Sequence, residues 1–206
     1  MLKILGRNSS SNVQEVLWCC AELGLDYQRE DFGRQFGGND TPEFLAKNPN
    51  GTVPVIIDGG LVLWESNAIV RYLAARNGAG TLYPTEPRAR ALAERWMDWQ
   101  LSVLGPVFTP LFHGLVRDPP SKRDPARIAA ARDDVEARLA ILDRYLGETA
   151  YVAGDDFTMG DIPVGIYGYR WYKLDIERNP LPNLERWYNA LAQRPAFRKH
   201  VMVDLG

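Results

Sequence analysis

The chain has 206 residues, 46% hydrophobic and 24% charged, an ordinary globular composition that excludes disorder as its main state. Lys and Arg total 24 against 26 Asp and Glu. The net charge of -2 leaves no basic excess for nucleic acid and no acidic tail. The length allows one domain or two small ones. The two cysteines, Cys19 and Cys20, are adjacent, so no CxxC pair or metal quartet is present and no metal site is expected. Unpaired thiols and an N-terminal apolar run too short for a signal peptide point to a reduced, cytoplasmic setting. No run of about 20 apolar residues predicts a membrane span.

The first 80 residues alternate strand and helix. Leu2–Gly6 is a short apolar run that ends in a turn. Asn12–Leu23 has helical spacing, with Val13, Val16, Leu17 and Cys20 on one face and Gly24 as its C-cap. Asp26–Asp31 reads as a second strand, and Thr41-Pro42-Glu43 as a helix start with Pro at the first position. Val53–Ile57 and Leu61–Trp64 flank Asp58-Gly59-Gly60, the spacing of a hairpin. Glu65–Arg76 is helical again, burying Ile69, Val70 and Leu73.

Asn77–Pro87 is a turn-rich break, and everything beyond it reads as helix. Leu92, Trp96, Trp99 and Val103 form one stripe, and Ile128, Val135, Leu139, Leu142 and Leu146 another. A further helix starts near Asp161, and Pro182 and Pro195 punctuate two short final ones. The expected architecture is a small α/β domain over residues 1–80, then an all-helical domain over 86–206.

Four segments carry chemistry or its structural look-alike. Ser9, Ser10, Ser11 and Asn12 stand where the first helix begins. They can cap it, and the same helix N-terminus can hold an anion or stabilise a thiolate. Asn48-Pro49-Asn50-Gly51-Thr52-Val53-Pro54 is a turn into a hairpin. With a cis bond before Pro54, Val53 would offer its backbone to an extended ligand. Glu65 and Ser66 sit at the next helix start, as a cap or as partners for an ammonium and a carboxylate on one carbon. Thr158 and Asp161 have capping-box spacing and read as structural.

Taken together, SSSNVQEVLW, ELGLDY, NPNGTVPVI, LWESNAIVRYLA, FTMGDI and PNLERWYNALAQRPAF resemble the cytosolic glutathione transferases over nearly the whole chain. GRNSSSNV and GLVRDPP look most like a bacterial group related to glutathione transferase B. The resemblance implies a thioredoxin-like N-terminal domain, an all-helical C-terminal domain and a homodimer. It also implies glutathione as co-substrate and conjugation of its thiol to a small-molecule electrophile. Ser10 falls at the activating position, with Ser9, Ser11 and Asn12 in the same turn. Thr52, Val53 and Pro54 match the segment that pairs with the cysteinyl backbone, and Glu65 and Ser66 match the γ-glutamyl contacts. Asn39 and Asp40 fall where many classes place a basic residue for the glycyl carboxylate, so Arg34 or Gln35 is the expected substitute.

The electrophile pocket is expected between the domains. Phe108, Phe112, His113 and Arg117 follow kinks at Gly105-Pro106 and Pro110, and Tyr167, Tyr169, Arg170 and Trp171 lie on a later helix. The same aromatic stripes are also what core packing would produce. Arg117 and Arg170 are the charged residues there that could meet an anionic substrate. Rival readings are a glutathione-dependent disulfide or peroxide reductase and a non-catalytic adaptor. A GxSxG hydrolase is excluded by the absence of that motif.

Overall fold

The computed structural model describes residues 1–205, so the last residue of the expected 86–206 span lies outside the described residues. β1 (Leu2–Leu5) runs through the Gly6–Ser10 turn into α1 (Ser11–Glu22), and β2 (Tyr27–Glu30) returns parallel to β1. Next come α2 (Pro42–Leu45), whose first turn is capped by the Thr41 hydroxyl, and the hairpin β3 (Val55–Asp58) and β4 (Leu61–Trp64). α3 (Ser66–Asn77) then packs back beside α1. The sheet order is β2-β1-β3-β4, with β3 antiparallel to both neighbours. This is the mixed sheet of a thioredoxin-like domain.

The remainder is helical. α4 (Pro87–Trp99) is headed by Pro87 and by Glu86, whose carboxylate accepts the Arg88 and Ala89 N–H groups at 3.0 and 2.7 Å. A π turn over Gln100–Leu104 leads into α5 (Gly105–Phe112), and a second over His113–Arg117 follows it. Pro106 stands in the first turn of α5 and Pro110 inside it, so the expected break at Pro110 does not occur there; the wide turns lie on either side of the short segment that carries both prolines. α6 (Pro125–Leu146), α7 (Asp161–Lys173), α8 (Pro182–Ala192) and α9 (Pro195–His200) complete the chain.

One core spans both parts. Val13 to Cys20 of α1 are buried on every side, because α3 covers one face of the helix and α7 and α9 cover the other. Trp18 meets the Phe197 ring edge-on at 4.7 Å, and its Nε1–H donates to Glu22 at 2.8 Å. Arg194 clamps the same carboxylate through both oxygens, at 2.8 and 2.7 Å. Gly165 of α7 is where the Trp18 ring lands: a Cβ there would sit 2.8 Å from Cζ3. A smaller cluster of Leu5, Phe44 and Val55 also packs in the N-terminal domain.

The stripe expected on α4 is shifted. Trp96 is buried as expected and Ala93, Met97, Gln100 and Leu104 are buried with it, while Leu92, Trp99 and Val103 are only half-buried. Gln100 is buried because Asn67 of α3 reaches across to it and to the Met97 carbonyl, the latter at 2.9 Å. A polar pair thus ties the two domains.

Asp161 starts α7 fully buried. Its carboxylate accepts the Val152 N–H at 3.0 Å, the Thr158 N–H at 2.9 Å and the Trp187 Nε1–H at 2.8 Å. The Thr158 hydroxyl accepts the Gly160 N–H at 3.3 Å rather than that of Asp161, so only the carboxylate half of the expected capping box, Asp161 to the Thr158 N–H, is formed. Burial pushes the Asp161 carboxyl up to about 6, against the pull of its three donors and of Arg194.

Candidate functional site

The site grows from the β1–α1 turn. Gly6 has a φ of 149°, and a Cβ on it would lie 2.6 Å from Val13 and 3.1 Å from Val53, so glycine is what lets the turn pass between them. The chain then delivers Arg7, Ser9, Ser10, Ser11 and Asn12 to one wall of a cleft of about 280 Å³. Ser10 occupies the N-cap position of α1, but its hydroxyl makes no cap hydrogen bond. The capping reading therefore fails for its side chain. Ser11 Oγ donates instead to Asn12 Oδ1 at 3.2 Å. The first turn of α1 holds no acidic residue, so its N–H groups and dipole face the cleft without an internal anion.

The opposite wall comes from the helical domain. Phe108, Phe112, His113 and Arg117 line it, joined by Thr109 and by Tyr167 and Arg170 of α7. Phe108 and Tyr167 meet edge-on at 5.1 Å. Arg170 lies over the Phe112 ring at 4.3 Å and Arg117 at 5.2 Å. Trp171 is not part of this wall: with 0% exposure it belongs to the core, because successive residues on a helix point about 100° apart and Arg170 takes the cleft side. Tyr169 likewise turns away and donates to the Val203 carbonyl.

The Val53–Pro54 bond is cis. Asn48 holds the preceding loop, its Nδ2 donating to the Thr52 carbonyl at 2.8 Å and its Oδ1 accepting the Asn50 N–H at 3.0 Å. Thr52 is exposed beside it, Pro54 is buried, and Val53 is half-buried with neither backbone group in a backbone hydrogen bond among the described residues. Asn39 donates to the Gly51 carbonyl at 2.6 Å, so its amide braces the same loop. Gln35 is exposed and does not line the cleft, whereas its neighbour Arg34 does. Asp40 is exposed as well.

At the head of α3, Glu65 is exposed and holds a φ of 70°, a left-handed conformation that costs a non-glycine residue free energy and is common at ligand sites. Ser66 is buried below it. Near Ser66 lies Glu15 of α1, which is 1% exposed and whose oxygens have no hydrogen-bond partner of normal geometry among the described residues. Burial pushes the Glu15 carboxyl up to about 8, and the Ser66 hydroxyl and the Arg170 charge pull it back.

Arg7 and Glu15 are the residues that sequence reasoning passed over. Arg7 had a signal, since it stands three residues before Ser10 in the same turn. Glu15 had none, because VQEVLW places it off the apolar face of α1. Among the described residues no group of His, Cys, Asp and Glu could hold a metal, and no helix is long and apolar enough to cross a membrane.

Residues 2–75 match the model of the glutathione S-transferase N-terminal domain, and residues 106–195 match that of the C-terminal domain. The chain is 45% identical to glutathione S-transferase GstB of Escherichia coli K12, over all of both chains. It is 32% identical to glutathione S-transferase 3 of Zea mays, over 97% of this chain and 93% of that one. The crystal structure of the theta class glutathione S-transferase of Xanthomonas axonopodis pv. citri, with glutathione bound, superposes with a TM-score of 0.96. That protein is 51% identical, with 100% of this chain and 99% of the other covered. With its thioredoxin-like domain, its helical domain and these matches along its length, the chain belongs to the glutathione S-transferase family.

Proposed function

We propose that the chain binds glutathione along the cis-Pro54 edge and joins its thiol to a small electrophile held against the helical wall. The observation that carries this reading is the Ser10 hydroxyl, uncommitted to capping, at an open helix N-terminus inside the cleft. Val53 pairs with the cysteinyl backbone between Thr52 and Pro54, the Glu65 carboxylate meets the γ-glutamyl ammonium, and Ser66 meets its carboxylate. Arg34, rather than Gln35, takes the glycyl carboxylate.

A free thiol has a pKa of about 8.5 and is mostly protonated at neutral pH. The Ser10 hydroxyl donates to the sulfur, and the α1 dipole favours negative charge beside it; both lower the pKa. Ser9, Ser11 and Asn12 shape the same turn. The proton leaves to solvent, and the thiolate attacks an electrophile positioned by Phe108, Phe112, His113 and Arg117. Proximity supplies much of the rate gain, and the protein forms no covalent bond of its own.

The assembly is a homodimer. Its support is an apolar surface of Trp96, Trp99, Ile141 and Tyr145, with exposed Leu61, Val62 and Leu101 also available for burial. We divide the chain into a glutathione domain at 1–80 and an electrophile domain at 86–206. The free, buried Cys19 and Cys20 fit a reducing cytoplasm and a detoxifying role.

Calorimetric titration with glutathione, followed by turnover of 1-chloro-2,4-dinitrobenzene, tests the assignment. Binding with turnover is expected. Binding without turnover favours the adaptor reading, and no binding at millimolar glutathione ends the proposal.

A further inference from the structure

We propose that Glu15 is a positioning residue for glutathione that acts through Ser66: its buried carboxyl decides whether the Ser66 hydroxyl donates to the ligand's γ-glutamyl carboxylate or turns away from it. This rests on the glutathione reading above. Glu15 lies in α1 and is 1% exposed, Ser66 opens α3 and is 3% exposed, and the two helices pack side by side. Neither Glu15 oxygen is held in a hydrogen bond of normal geometry among the described residues, yet the Ser66 hydroxyl lies near enough to favour the ionised carboxylate. A buried carboxyl that only held helices together would have its oxygens satisfied, as those of Asp161 are by three donors. The Glu15 carboxyl stands uncommitted beside a residue assigned to the ligand.

The chemistry of the two groups couples them. A serine hydroxyl has one proton to donate, and a carboxyl donates only when protonated. With Glu15 protonated, its O–H donates to Ser66 Oγ, and the Ser66 O–H donates onward to the γ-glutamyl carboxylate. The two bonds run in one direction and strengthen each other. With Glu15 ionised, it draws the Ser66 proton to itself. The ligand carboxylate then meets a lone pair and, behind it, a second negative charge.

The groups that face Glu15 come from both helices packed on α1. On the α3 side the Glu65 charge opposes its ionisation; on the α7 side the Arg170 charge favours it, and the Tyr167 hydroxyl lies nearby. Burial outweighs the attraction and pushes the carboxyl up to about 8, so it is mostly protonated at neutral pH. Tyr167 is itself pushed up, and Arg170 is pulled down only to about 10, so neither changes charge where Glu15 does. Bound glutathione takes the Ser66 proton and brings a like charge, and both raise the Glu15 carboxyl further. The complex therefore holds this proton more tightly than the free chain, and affinity for glutathione falls as pH rises above about 8.

S-methylglutathione is the probe, because it keeps the γ-glutamyl group and has no thiol to titrate. Its calorimetric Kd for the wild-type chain should rise by about tenfold between about pH 7 and pH 9. Glu15→Gln keeps the shape and donates an amide N–H to Ser66 at every pH. The ratio of wild-type to variant Kd should therefore climb from near one to about tenfold over that range, with the titration of the ligand's own ammonium cancelled. In buffers of different ionisation enthalpy, the wild type should take up about half a proton more than the variant near pH 8.5. In a Ser66→Ala background the ratio should shrink toward one, because the effect passes through the hydroxyl. Parallel pH profiles, a uniform loss in Glu15→Gln at every pH, or an undiminished ratio without Ser66 would each overturn the inference and leave the glutathione reading intact. No binding of S-methylglutathione by the wild type at any pH would remove that reading and the inference with it.

Discussion

Replacing Asp161 by Ala removes the acceptor for three buried donors at once: the Val152 N–H, the Thr158 N–H and the Trp187 Nε1–H. Each donor left unsatisfied costs about 1–3 kcal/mol. Relief from the buried charge offsets part of the sum, since burial already disfavours this carboxylate. The expected net loss is about 4 kcal/mol, or roughly a 10 °C fall in Tm for a chain of this length. Urea unfolding at one fixed protein concentration, because association adds to apparent stability, gives the number, and thermal melts check it. Asp161→Asn keeps one good acceptor and should lose less. The consequence reaches the cleft, because Asp161 begins the helix that carries Tyr167 and Arg170. A loss under about 1 kcal/mol for Asp161→Ala would refute the reasoning, since it would mean the three donors find other partners.

Three further outcomes follow from the packing and charge described above. Glu15 is raised to about 8 in the folded chain, well above an unfolded carboxyl near 4.3, so the folded state binds the extra proton between those values and stability falls as pH rises through that window. Glu15→Gln removes this slope, and urea titrations should show the variant gaining on the wild type by a few kcal/mol between about pH 5 and pH 8.5. Gly165→Ala forces a methyl to within 2.8 Å of the Trp18 ring and should cost about 1–3 kcal/mol by overpacking, read as a shift in urea midpoint at constant slope. Asn48→Ala frees the Thr52 carbonyl and the Asn50 N–H, and should raise the glutathione Kd by about threefold to tenfold in a calorimetric titration while leaving most of the stability in place.

Element order was legible because each element carries its own local signal: Thr41-Pro42, the Asp58-Gly59-Gly60 turn, Pro87, Pro182 and Pro195 all mark real boundaries. Burial was less legible wherever two domains share a helix. Periodicity gives α1 one apolar face, but Gln14, Glu15, Trp18 and Cys19 on its other sides are also buried, under α3 and under α7 and α9, which lie more than 130 residues further along the chain. The same non-local contact turns the stripe on α4 toward Met97 and Gln100, because Asn67 bonds there. Within the site, the turn residues Ser9 to Asn12 fall together because they are contiguous in sequence. Arg7, Arg34 and Arg170 fall together only through the tertiary fold, and no local pattern announces that. Trp171 shows the converse: an aromatic beside cleft residues in sequence points the other way once the helix phase is fixed.

The central claim is that the start of α1 lowers the pKa of the glutathione thiol, and the ultraviolet absorbance of the thiolate, titrated with pH in the bound complex, measures it directly. The bound thiol should ionise about 1–2 units below the free value near 8.5, and Ser10→Ala should return about one unit of that shift. A bound thiol that ionises as it does in free solution would contradict the account.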